Sequence, residues 1–428
     1  MMNQNKTSSI SGFYKKTVEE RISLISSIAE LTDEEKNVLF SSLNESLADR
    51  MIENVVGIFS LPLGIALNFR VNNTDVLIPM VTEESSVVAA ASKAAKIARK
   101  HGGFRTESTS PIMIGQIQIL GVKDITTASE KILENKNKLL DIANAQDKIL
   151  TDLGGGATDL VVRILESSMG KMIVVHVYVD VRDAMGANAV NTMVEALAPV
   201  LEDVSGGYVR LKILSNLADQ RLVTAQAIFD KDLIGGDDVV DAFLESVELA
   251  KIDPYRAATH NKGIMNGIDA VILASGNDFR AIESGAHAFA AREGQYTSLT
   301  NYWKDESGNL VGEIRLPLAL GIVGGAGSIH PTAKICKKMM NVSSAQQLAE
   351  LVASVGLAQN FAAVLALSTV GIQKGHMSLH AKNIAMMAGA KETDIDKVAD
   401  QLIKEGNIKL DRAKEIVKDS LGKGLDDS

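Results

Sequence analysis

A lysine and an aspartate lie in a strongly apolar part of the chain, between Thr259 and Arg292. Apolar residues there recur three, four or seven positions apart, as on one stripe of a helix. Lys262 lies near the start of this stretch and Asp278 part-way along it. Small residues fill much of the remaining surface, which predicts a helix packed on several sides. Because a buried charge is costly unless it is paired, these two residues are the first candidates for chemistry.

The spacing of Lys262 and Asp278 limits how they can act together. A continuous helix over residues 264–292 would hold the two side chains ~24 Å apart. Either the helix breaks at Ser275-Gly276, or each charge finds its partner across the interface of a symmetric dimer. Of these two, the distance favours the dimer. An interpretation without chemistry is equally good on spacing alone: a core helix whose charges reach solvent at its ends.

A second segment, DAMGANAVN at residues 183–191, could bind an anion. It follows a predicted strand and opens a predicted helix. Gly186 permits close approach, and the free amides at the start of the helix suit a phosphate. The alternative is an ordinary helix start, capped by Asp183 or Asn188.

The segment GHMSLH places His376 and His380 four residues apart, on one face of a predicted helix. Such spacing occurs at metal sites, but neither an HExxH motif nor a third histidine lies near it. We therefore expect no zinc site. A histidine at the glycine-flanked start of a helix is better suited to donate a proton.

The elements that must position these residues form an α+β pattern. Strands are predicted at residues 113–120, 159–165, 172–181 and 208–214, and helices at 126–145 and 187–201. Their order, β-α-β-β-α-β, is the ferredoxin-like arrangement. The glycine-rich turns at residues 154–156 and 321–327 lack G-x-G-x-x-G between a strand and a helix. The small domain is therefore not expected to be a Rossmann domain.

The whole chain is predicted to have three parts. Residues 1–110 and 216–372 form a large mixed domain around the long central helix, and residues 111–215 form the inserted small domain. Residues 373–428 form a C-terminal helical flap, which has the form of a mobile lid. Further predicted elements are helices at 18–31, 33–46, 344–355, 358–367, 378–387, 392–405 and 411–421, a helix from residue 85, and strands at 77–80 and 310–320.

Composition limits the class of protein. The 428 residues are 46% hydrophobic and 23% charged, with a formal net charge of -9, which argues against nucleic acid or an anionic membrane as the main partner. The single cysteine, Cys336, excludes an internal disulfide and fits a reducing compartment. The polar N-terminus lacks the apolar core of a signal peptide, and no run approaches 18 consecutive apolar residues. We expect a cytoplasmic protein.

Several motifs follow one another in an order typical of one family: ENVVGIFSLPLGIA, TEESSVVAAAS, DAMGANAVNTM, RAATHNKGIMNGID, ASGNDFRAIESGAH, GLAQNFAA and GIQKGHMSLH. Over residues 12–421 the chain resembles the class II 3-hydroxy-3-methylglutaryl-coenzyme A (HMG-CoA) reductases. The resemblance implies four-electron reduction of HMG-CoA to mevalonate and coenzyme A by two NAD(P)H, through a hemithioacetal and mevaldehyde. It also implies a homodimer with shared active sites, and no metal.

The resemblance implies roles for individual residues. The catalytic residues would be Glu84, Lys262, Asp278 and His376. The substrate would contact Ser86, Asn216, Arg256, Thr259, Asn266, Gln359 and Asn360. The dinucleotide would lie along Asp183, Met185, Gly186, Asn188 and Ala189 of the small domain.

The chemistry explains these residue types. The ammonium of Lys262 would stabilise the oxyanion that forms when hydride attacks the thioester carbonyl, and Asp278 would orient it. His376 would protonate the departing thiolate once the flap closes. Glu84 would deliver a proton to the aldehyde oxygen if burial raises its pKa.

Asp147 bears on the choice of dinucleotide. It precedes the glycine turn at 154–156, where a carboxylate could bind the adenosine ribose and repel a 2′-phosphate. The resemblance to this family implies that an aspartate at this position marks an enzyme that uses NADH. The alternative is a solvated charge at a helix end, and the neighbouring Lys148 weakens the argument. We expect NADH, with NADPH as the second candidate.

Two rival functions use the same residues. The enzyme could run in the opposite direction, oxidising mevalonate, and the sequence does not distinguish the two directions. A non-catalytic relative that binds coenzyme A or a nucleotide is the other rival. Such a protein would be expected to have lost one of Glu84, Lys262, Asp278 or His376, and all four are present.

Overall fold

The computed structural model describes residues 7–41, 43–369, 381–391 and 394–422. The strands are β1 (Leu63–Ala66), β2 (Arg70–Val71), β3 (Thr74–Asp75), β4 (Ile78–Val81), β5 (Phe104–Ser108), β6 (Ile112–Leu120), β7 (Gly156–Ser167), β8 (Gly170–Asp180), β9 (Tyr208–Ser215), β10 (Leu222–Phe229), β11 (Thr300–Lys304) and β12 (Leu310–Pro317). This mixture of strands and helices confirms the predicted α+β class.

The helices before residue 300 are α1 (Val18–Ala29), α2 (Asp33–Phe40), α3 (Glu45–Ala48), α4 (Val87–Ala98), α5 (Ile125–Glu134), α6 (Lys136–Asn144), α7 (Lys148–Asp152), α8 (Ala187–Ser205), α9 (Lys231–Ile234), α10 (Asp237–Ile252), α11 (Pro254–Ser275) and α12 (Phe279–Ala290). Those after it are α13 (Pro331–Met340), α14 (Ala345–Ser368), α15 (381–387), α16 (Ile395–Glu405) and α17 (Leu410–Gly422). Short 3₁₀ turns occupy Phe13–Lys15, Arg99–His101 and Ala326–Ser328.

The four-stranded sheet has the strand order β7-β8-β6-β9, with every pairing antiparallel. Apolar residues of β6 and β8, including Ile117, Val175 and Val177, are buried beneath helices α5, α6 and α8. The order along the chain confirms the predicted β-α-β-β-α-β pattern. One detail was wrong: the single helix predicted at 126–145 is two helices, α5 and α6, which meet at Asn135.

The larger sheet has the order β11-β12-β10-β5-β2-β3, and β1 pairs with β4 beside it. Helix α14 packs against this sheet and against α4 and α11, with Phe361 stacked on Phe229 of β10. The two helices predicted at 344–355 and 358–367 are therefore one. Gly356 does not end the helix: a Cβ there would lie 2.9 Å from Ile268, so glycine permits the close approach of α14 and α11.

The central stretch is two helices, not one continuous helix. Helix α11 ends at Ser275, and Gly276 adopts the left-handed conformation with φ of 71°. A Cβ on Gly276 would lie 2.5 Å from the Cα of Gly327, so the chain turns where the glycine-rich segment crosses it. Helix α12 starts after Asp278. Of the two possibilities stated for this stretch, the break at Ser275-Gly276 is the one observed.

Helix α14 also bears on the expectation about membranes. It is long and apolar enough to cross a bilayer by length and composition, although no such segment was expected from the sequence. In the fold, however, 67% of its most apolar window is buried against protein. This placement is that of a core helix.

The C-terminal helices α15, α16 and α17 enclose a small core of their own, which contains Val398, Leu402 and Ile416. They agree with the helices predicted for the flap. Residues 370–380, which include His376 and His380, lie outside the described residues. The limits proposed for the three domains stay predictions. Strand β11 and helix α13 were not predicted.

Candidate active site

Helix α11 presents one polar face to solvent at its N-terminal half. Arg256, Thr259, Lys262 and Asn266 follow one another at helical spacing and are half-buried or exposed. The opposite face, with Ile264 and its apolar neighbours, is buried in the core. Burial of one stripe therefore determines which side chains remain available for chemistry.

Lys262 forms an ion pair with Glu84, with 2.9 Å between Nζ and Oε2. Glu84 lies in the loop between β4 and α4, where its amide donates to the hydroxyl of Thr82. The two side chains are 63% and 41% exposed. The prediction that Lys262 is buried is therefore wrong within a single chain: the charged group lies on the solvent side of a helix whose other side is buried.

Ser86 is the N-cap residue of α4, with the unusual φ of 74° and no hydrogen bond from its side chain to the helix. Its hydroxyl is thus not used for capping. The positive end of the α4 dipole faces the Glu84 loop. The first turn of α4 carries no acidic residue that would neutralise it. Ser86 and the helix start adjoin the Lys262–Glu84 pair through the short loop that contains Glu84.

Asp278 occupies a different place, at the start of α12. Its carboxylate accepts hydrogen bonds from the amides of Arg280 and Ala281, at 3.0 and 3.2 Å, and pairs with the Arg280 side chain. Burial acts to raise its pKa, but the bonds from Arg280 and Ala281 outweigh it and lower the pKa. Asp278 is 45% exposed, so it is not a buried charge.

The structure does not bring Asp278 to Lys262 within one chain. Helix α11 carries the chain ~20 Å from Lys262 to Ser275, and Asp278 follows beyond the break. The break turns the chain but leaves the aspartate at the far end of α11. One chain therefore holds the two halves of the predicted catalytic set at separate positions.

Gln359 and Asn360 are less available to a substrate than predicted. Asn360 is 1% exposed, and its carbonyl oxygen accepts from the hydroxyls of Thr300 and Tyr302. Its amide nitrogen lies 3.0 Å from Nε2 of His260. In this chain the side-chain polar groups of Asn360 join α11, α14 and β11, and a substrate contact through Asn360 stays a prediction.

The buried network around Asn360 was not predicted. Burial and the nearby Arg256 charge lower the pKa of His260 to about 3, so this histidine is neutral. Gln359 is also buried, and its amide oxygen has no partner among the described residues. No local sequence signal links His260 to Thr300 and Asn360, because each lies on a different element.

The segment at Asp183 leads into α8 with a run of unpaired amides. Gly186 is the N-cap residue with φ of 102° and makes no side-chain cap, so neither Asp183 nor Asn188 caps this helix. Within the described chain, the amides from Met185 to Ala189 donate no hydrogen bond. Such amides form a site suited to a phosphate.

The carboxylate of Asp183 has a structural role. Its Oδ1 accepts from the amide of Ala345 at 2.8 Å, at the start of α14. The predicted contact between Asp183 and the dinucleotide would therefore use the other carboxylate oxygen, Oδ2. Asn188 is exposed, and Met185 and Ala189 are half-buried, so their side chains border the amide site.

The amide site adjoins Asp278. The side chain of Asn277 bonds to both the carbonyl and the amide of Gly321, at 3.1 and 2.8 Å. The amide of Ile322, the next residue, donates to the Asp183 carbonyl at 3.0 Å. The predicted cofactor segment therefore lies beside Asp278 and away from Lys262.

Asn216 belongs to the same side as Asp278. It follows β9, and its carbonyl oxygen lies against Gly285 of α12, where a Cβ would approach it to 2.5 Å. The predicted substrate residues are thus divided. Ser86, Arg256, Thr259 and Asn266 lie on the side of Lys262, whereas Asn216 lies with Asp278.

Asp147 is the N-cap residue of α7, with Oδ1 accepting from the amide of Leu150 at 2.9 Å. This is the structural alternative that the sequence left open. The capping bond uses one carboxylate oxygen of Asp147. A role for the other oxygen in nucleotide selection stays a prediction.

Comparison with known proteins identifies a family. A family model described as hydroxymethylglutaryl-coenzyme A reductase matches residues 17–381. The 3-hydroxy-3-methylglutaryl-coenzyme A reductase of Archaeoglobus fulgidus is 53% identical over 412 residues, which cover 96% of this chain and 94% of that protein. A probable reductase of Borreliella burgdorferi is 37% identical over 402 residues, covering 92% and 90%.

Solved structures agree. The reductase from Streptococcus pneumoniae matches with a TM-score of 0.82 and 42% identity, covering 96% of this chain and 99% of that one. A structure of the class II enzyme from the same organism, bound to NADPH in open conformations, matches with the same TM-score and identity. That match covers 84% of this chain and 100% of the other.

Proposed function

The chain belongs to the hydroxymethylglutaryl-coenzyme A reductase family, and from this premise we propose how its side chains carry out the reaction. It is an NAD(P)-dependent oxidoreductase of class II that reduces HMG-CoA to mevalonate and coenzyme A. The observation that carries the mechanism is the Lys262–Glu84 ion pair on the exposed face of α11.

Lys262 stabilises negative charge on the substrate oxygen. Its ammonium is held by Glu84 at 2.9 Å and remains accessible, so it can donate to a carbonyl oxygen placed beside it. A fixed cation there is worth most when the oxygen becomes an oxyanion, in both reduction steps. The reduced nicotinamide supplies the hydride when it is bound.

Glu84 is the proton donor for the aldehyde oxygen. It already contacts Lys262, so a single oxygen atom can lie within reach of both groups. The burial that this role requires is not supplied by one chain, because Glu84 is 41% exposed. Substrate, partner subunit and flap would together exclude water from it.

His376 protonates the coenzyme A thiolate. This assignment rests on the match of KGHM to the family motif. A histidine next to the flap helices would reach the thiolate only when the flap covers the site. Thiolate protonation speeds departure of coenzyme A and opposes its return to the aldehyde.

We propose a homodimer in which each site contains Lys262 of one protomer and Asp278 of its partner. Support comes from the separate positions of these residues in one chain and from residues 51–61, where Val56 and Phe59 are almost fully exposed. Apolar side chains exposed in this way are typical of an interaction surface. In the dimer, Asp278 would hold the ammonium of Lys262 charged and oriented.

The amides from Met185 to Ala189 fit the diphosphate of a dinucleotide, because they combine unpaired donors with the positive end of α8. We propose NADH as the preferred form, since the remaining oxygen of Asp147 would repel a 2′-phosphate. NADPH, which the Streptococcus pneumoniae enzyme binds, is the second candidate. The protein is proposed to act in the cytoplasm.

The test mixes purified protein with HMG-CoA and NADH, then with NADPH, and follows the absorbance of the reduced nicotinamide. We expect oxidation of the nicotinamide only when HMG-CoA is present, with mevalonate as the product. No oxidation with either dinucleotide would refute the reductase function. Comparing kcat/KM for the two dinucleotides tests the NADH preference, and assays with mevalonate and coenzyme A measure the opposite direction.

A further inference from the structure

Arg221 is a buried arginine immediately before β10, outside the predicted catalytic, substrate-binding and dinucleotide-binding residues. It is only 4% exposed. Its guanidinium donates to the carbonyl oxygens of Ala184, Met185 and Leu320, at 3.1, 3.4 and 2.5 Å. Arg221 thus joins the loop before α8, at residues 184–185, to Leu320, which directly precedes the glycine-rich turn at 321–327.

The charge of Arg221 has no direct counterion in the part of the chain that the structure describes. Among the described residues it makes no ion pair within 4.0 Å, and Asp180 and Asp183 act on it only from a distance. Burial lowers its pKa to about 10, against the opposing effect of these two carboxylates. The guanidinium therefore stays charged near neutral pH. A buried, charged group bonded only to carbonyls is costly unless an anion lies nearby.

The bonds of Arg221 also determine where two amides point. In a planar trans peptide the carbonyl and the following N–H point in opposite directions. When the carbonyls of Ala184 and Met185 face Arg221, the amides of Met185 and Gly186 face away from it. Those amides begin the unpaired run that continues through Ala189.

We propose that Arg221 is a positioning residue for the dinucleotide diphosphate: it holds the 184–185 carbonyls so that the amides from Met185 onward converge on the anion. Its positive charge, on the carbonyl side of residues 184–185, adds to the positive potential at the α8 N-terminus. This inference rests on the proposed dinucleotide site. It assigns Arg221 an effect on dinucleotide affinity and none on HMG-CoA, whose predicted contacts lie mainly around Lys262.

The alternative is a purely structural clamp between the Asp183 segment and β12. A clamp would lower stability when removed, with no selective effect on either ligand. The two roles are separated by comparing Arg221→Met with Arg221→Lys, which retains the charge and one or two of the carbonyl bonds. Arg99→Met is the matched control, because Arg99 is half-buried and ion-paired with Asp75 far along the chain from this loop.

The experiment measures KM for each substrate and, by fluorescence titration, the affinity for NADH, NADPH and inorganic diphosphate. Arg221→Met should weaken dinucleotide and diphosphate binding by roughly tenfold or more, with KM for HMG-CoA unchanged, because one lost charge-assisted bond between a positioned amide and the anion has about this effect. Arg221→Lys should recover part of the loss. Arg99→Met should change none of these constants.

Two results would overturn the inference: unchanged dinucleotide affinity in a folded Arg221→Met protein, or equal losses for dinucleotide and HMG-CoA. If Arg221→Met does not fold, Arg221→Lys provides the test, and normal diphosphate binding with lowered thermal stability would identify a clamp. Failure of the reductase function itself would be distinguished by wild-type protein that binds dinucleotide but does not reduce HMG-CoA.

Discussion

Lys262 illustrates how a reactive side chain can be exposed on a helix that is otherwise in the core. Its own face of α11 is polar, whereas Ile264 and Met265 next to it are buried. The ion pair with Glu84 is mostly exposed, and such pairs contribute little to stability. The pair is therefore better explained by chemistry than by folding.

Replacing Lys262 by alanine should abolish both reduction steps while HMG-CoA still binds. Loss of the cation removes oxyanion stabilisation, which is worth about 10²–10³-fold or more in kcat. The measurement is kcat with HMG-CoA and with free mevaldehyde, beside a titration of HMG-CoA binding. Lys251→Ala, at the exposed end of α10, is the control. Substantial thioester reduction by Lys262→Ala would contradict the oxyanion role.

Asp269 gives the folded chain a dependence on pH. It lies half-buried on α11, and Glu283 of α12 faces it. Burial, followed by the hydrogen bonding and charge of Glu283, raises the pKa of Asp269 from 3.8 to about 8. Between these values the native state holds a proton that the unfolded chain has released. The free energy of unfolding therefore falls as the pH rises through this window.

Asp269→Asn should remove this contribution, because asparagine does not titrate. The slope of unfolding free energy against pH should become less negative between about pH 4 and pH 8. Urea unfolding at a series of pH values measures the slope, and Glu248→Gln on the exposed surface of α10 serves as the control. Identical slopes for wild type and Asp269→Asn would show that the carboxyl is not protonated in the native state.

At the scale of elements, the turn between α11 and α12 places one residue in two roles. Asp278 caps α12 through two backbone amides and also carries the charge proposed to meet Lys262. The turn exists because Gly276 adopts a left-handed conformation and packs closely on Gly327. Capping alone would explain an aspartate here, so the two roles need to be separated by mutation.

Asp278→Asn separates them, since asparagine caps helices about as well as aspartate. Stability should change by no more than ~0.5 kcal/mol, whereas kcat should fall about 100-fold, because the charge beside Lys262 is lost. Asp278→Ala should lose the same activity and also ~1 kcal/mol of stability. Thermal unfolding and steady-state kinetics provide the two readings. Asp124→Ala, which removes the cap of α5, is expected to lower stability alone.

Normal activity in Asp278→Asn would show that Asp278 acts only as a helix cap.

The close packing of α11 and α14 is a second feature at the scale of elements. Gly267 and Gly356 both lie where the helices approach, and a Cβ on either would come within 2.9 Å of a side chain of the other helix. Glycine in the middle of a helix is here a packing residue, which explains why α14 continues through Gly356.

At the scale of the whole molecule, one chain holds two separate groups of predicted site residues, which in the proposed dimer are half-sites. One contains Glu84, Lys262 and the polar face of α11. The other contains Asp278, the glycine-rich turn and the α8 amides. In an antiparallel pair of α11 helices, each half-site of one protomer could meet the other half-site of its partner, giving two sites per dimer.

Mixing two inactive variants tests this arrangement. Lys262→Ala and Asp278→Asn homodimers should each lack a complete site. After subunit exchange, each mixed dimer would contain one site with both residues intact, so random pairing should restore about one quarter of wild-type activity. Activity is measured after mixing, with each variant alone as the control. No recovery, although mixed dimers form, would show that each site is built from a single chain.

Local patterns in the sequence determined the α+β class, the order along the chain of the elements of the small domain and the apolar stripe of α11. These features depend on periodicity and on short-range signals, such as Thr32 capping α2, which neighbouring residues carry. The family motifs likewise identified the reaction. Only the tertiary structure decided whether the central stretch breaks, that Lys262 lies on an exposed face, that Asn360 is buried, and that Asp183 is bonded to α14. Those outcomes depend on contacts such as His260–Asn360 and Asp183–Ala345, 100 and 162 residues apart, and no local pattern specifies which distant groups will meet.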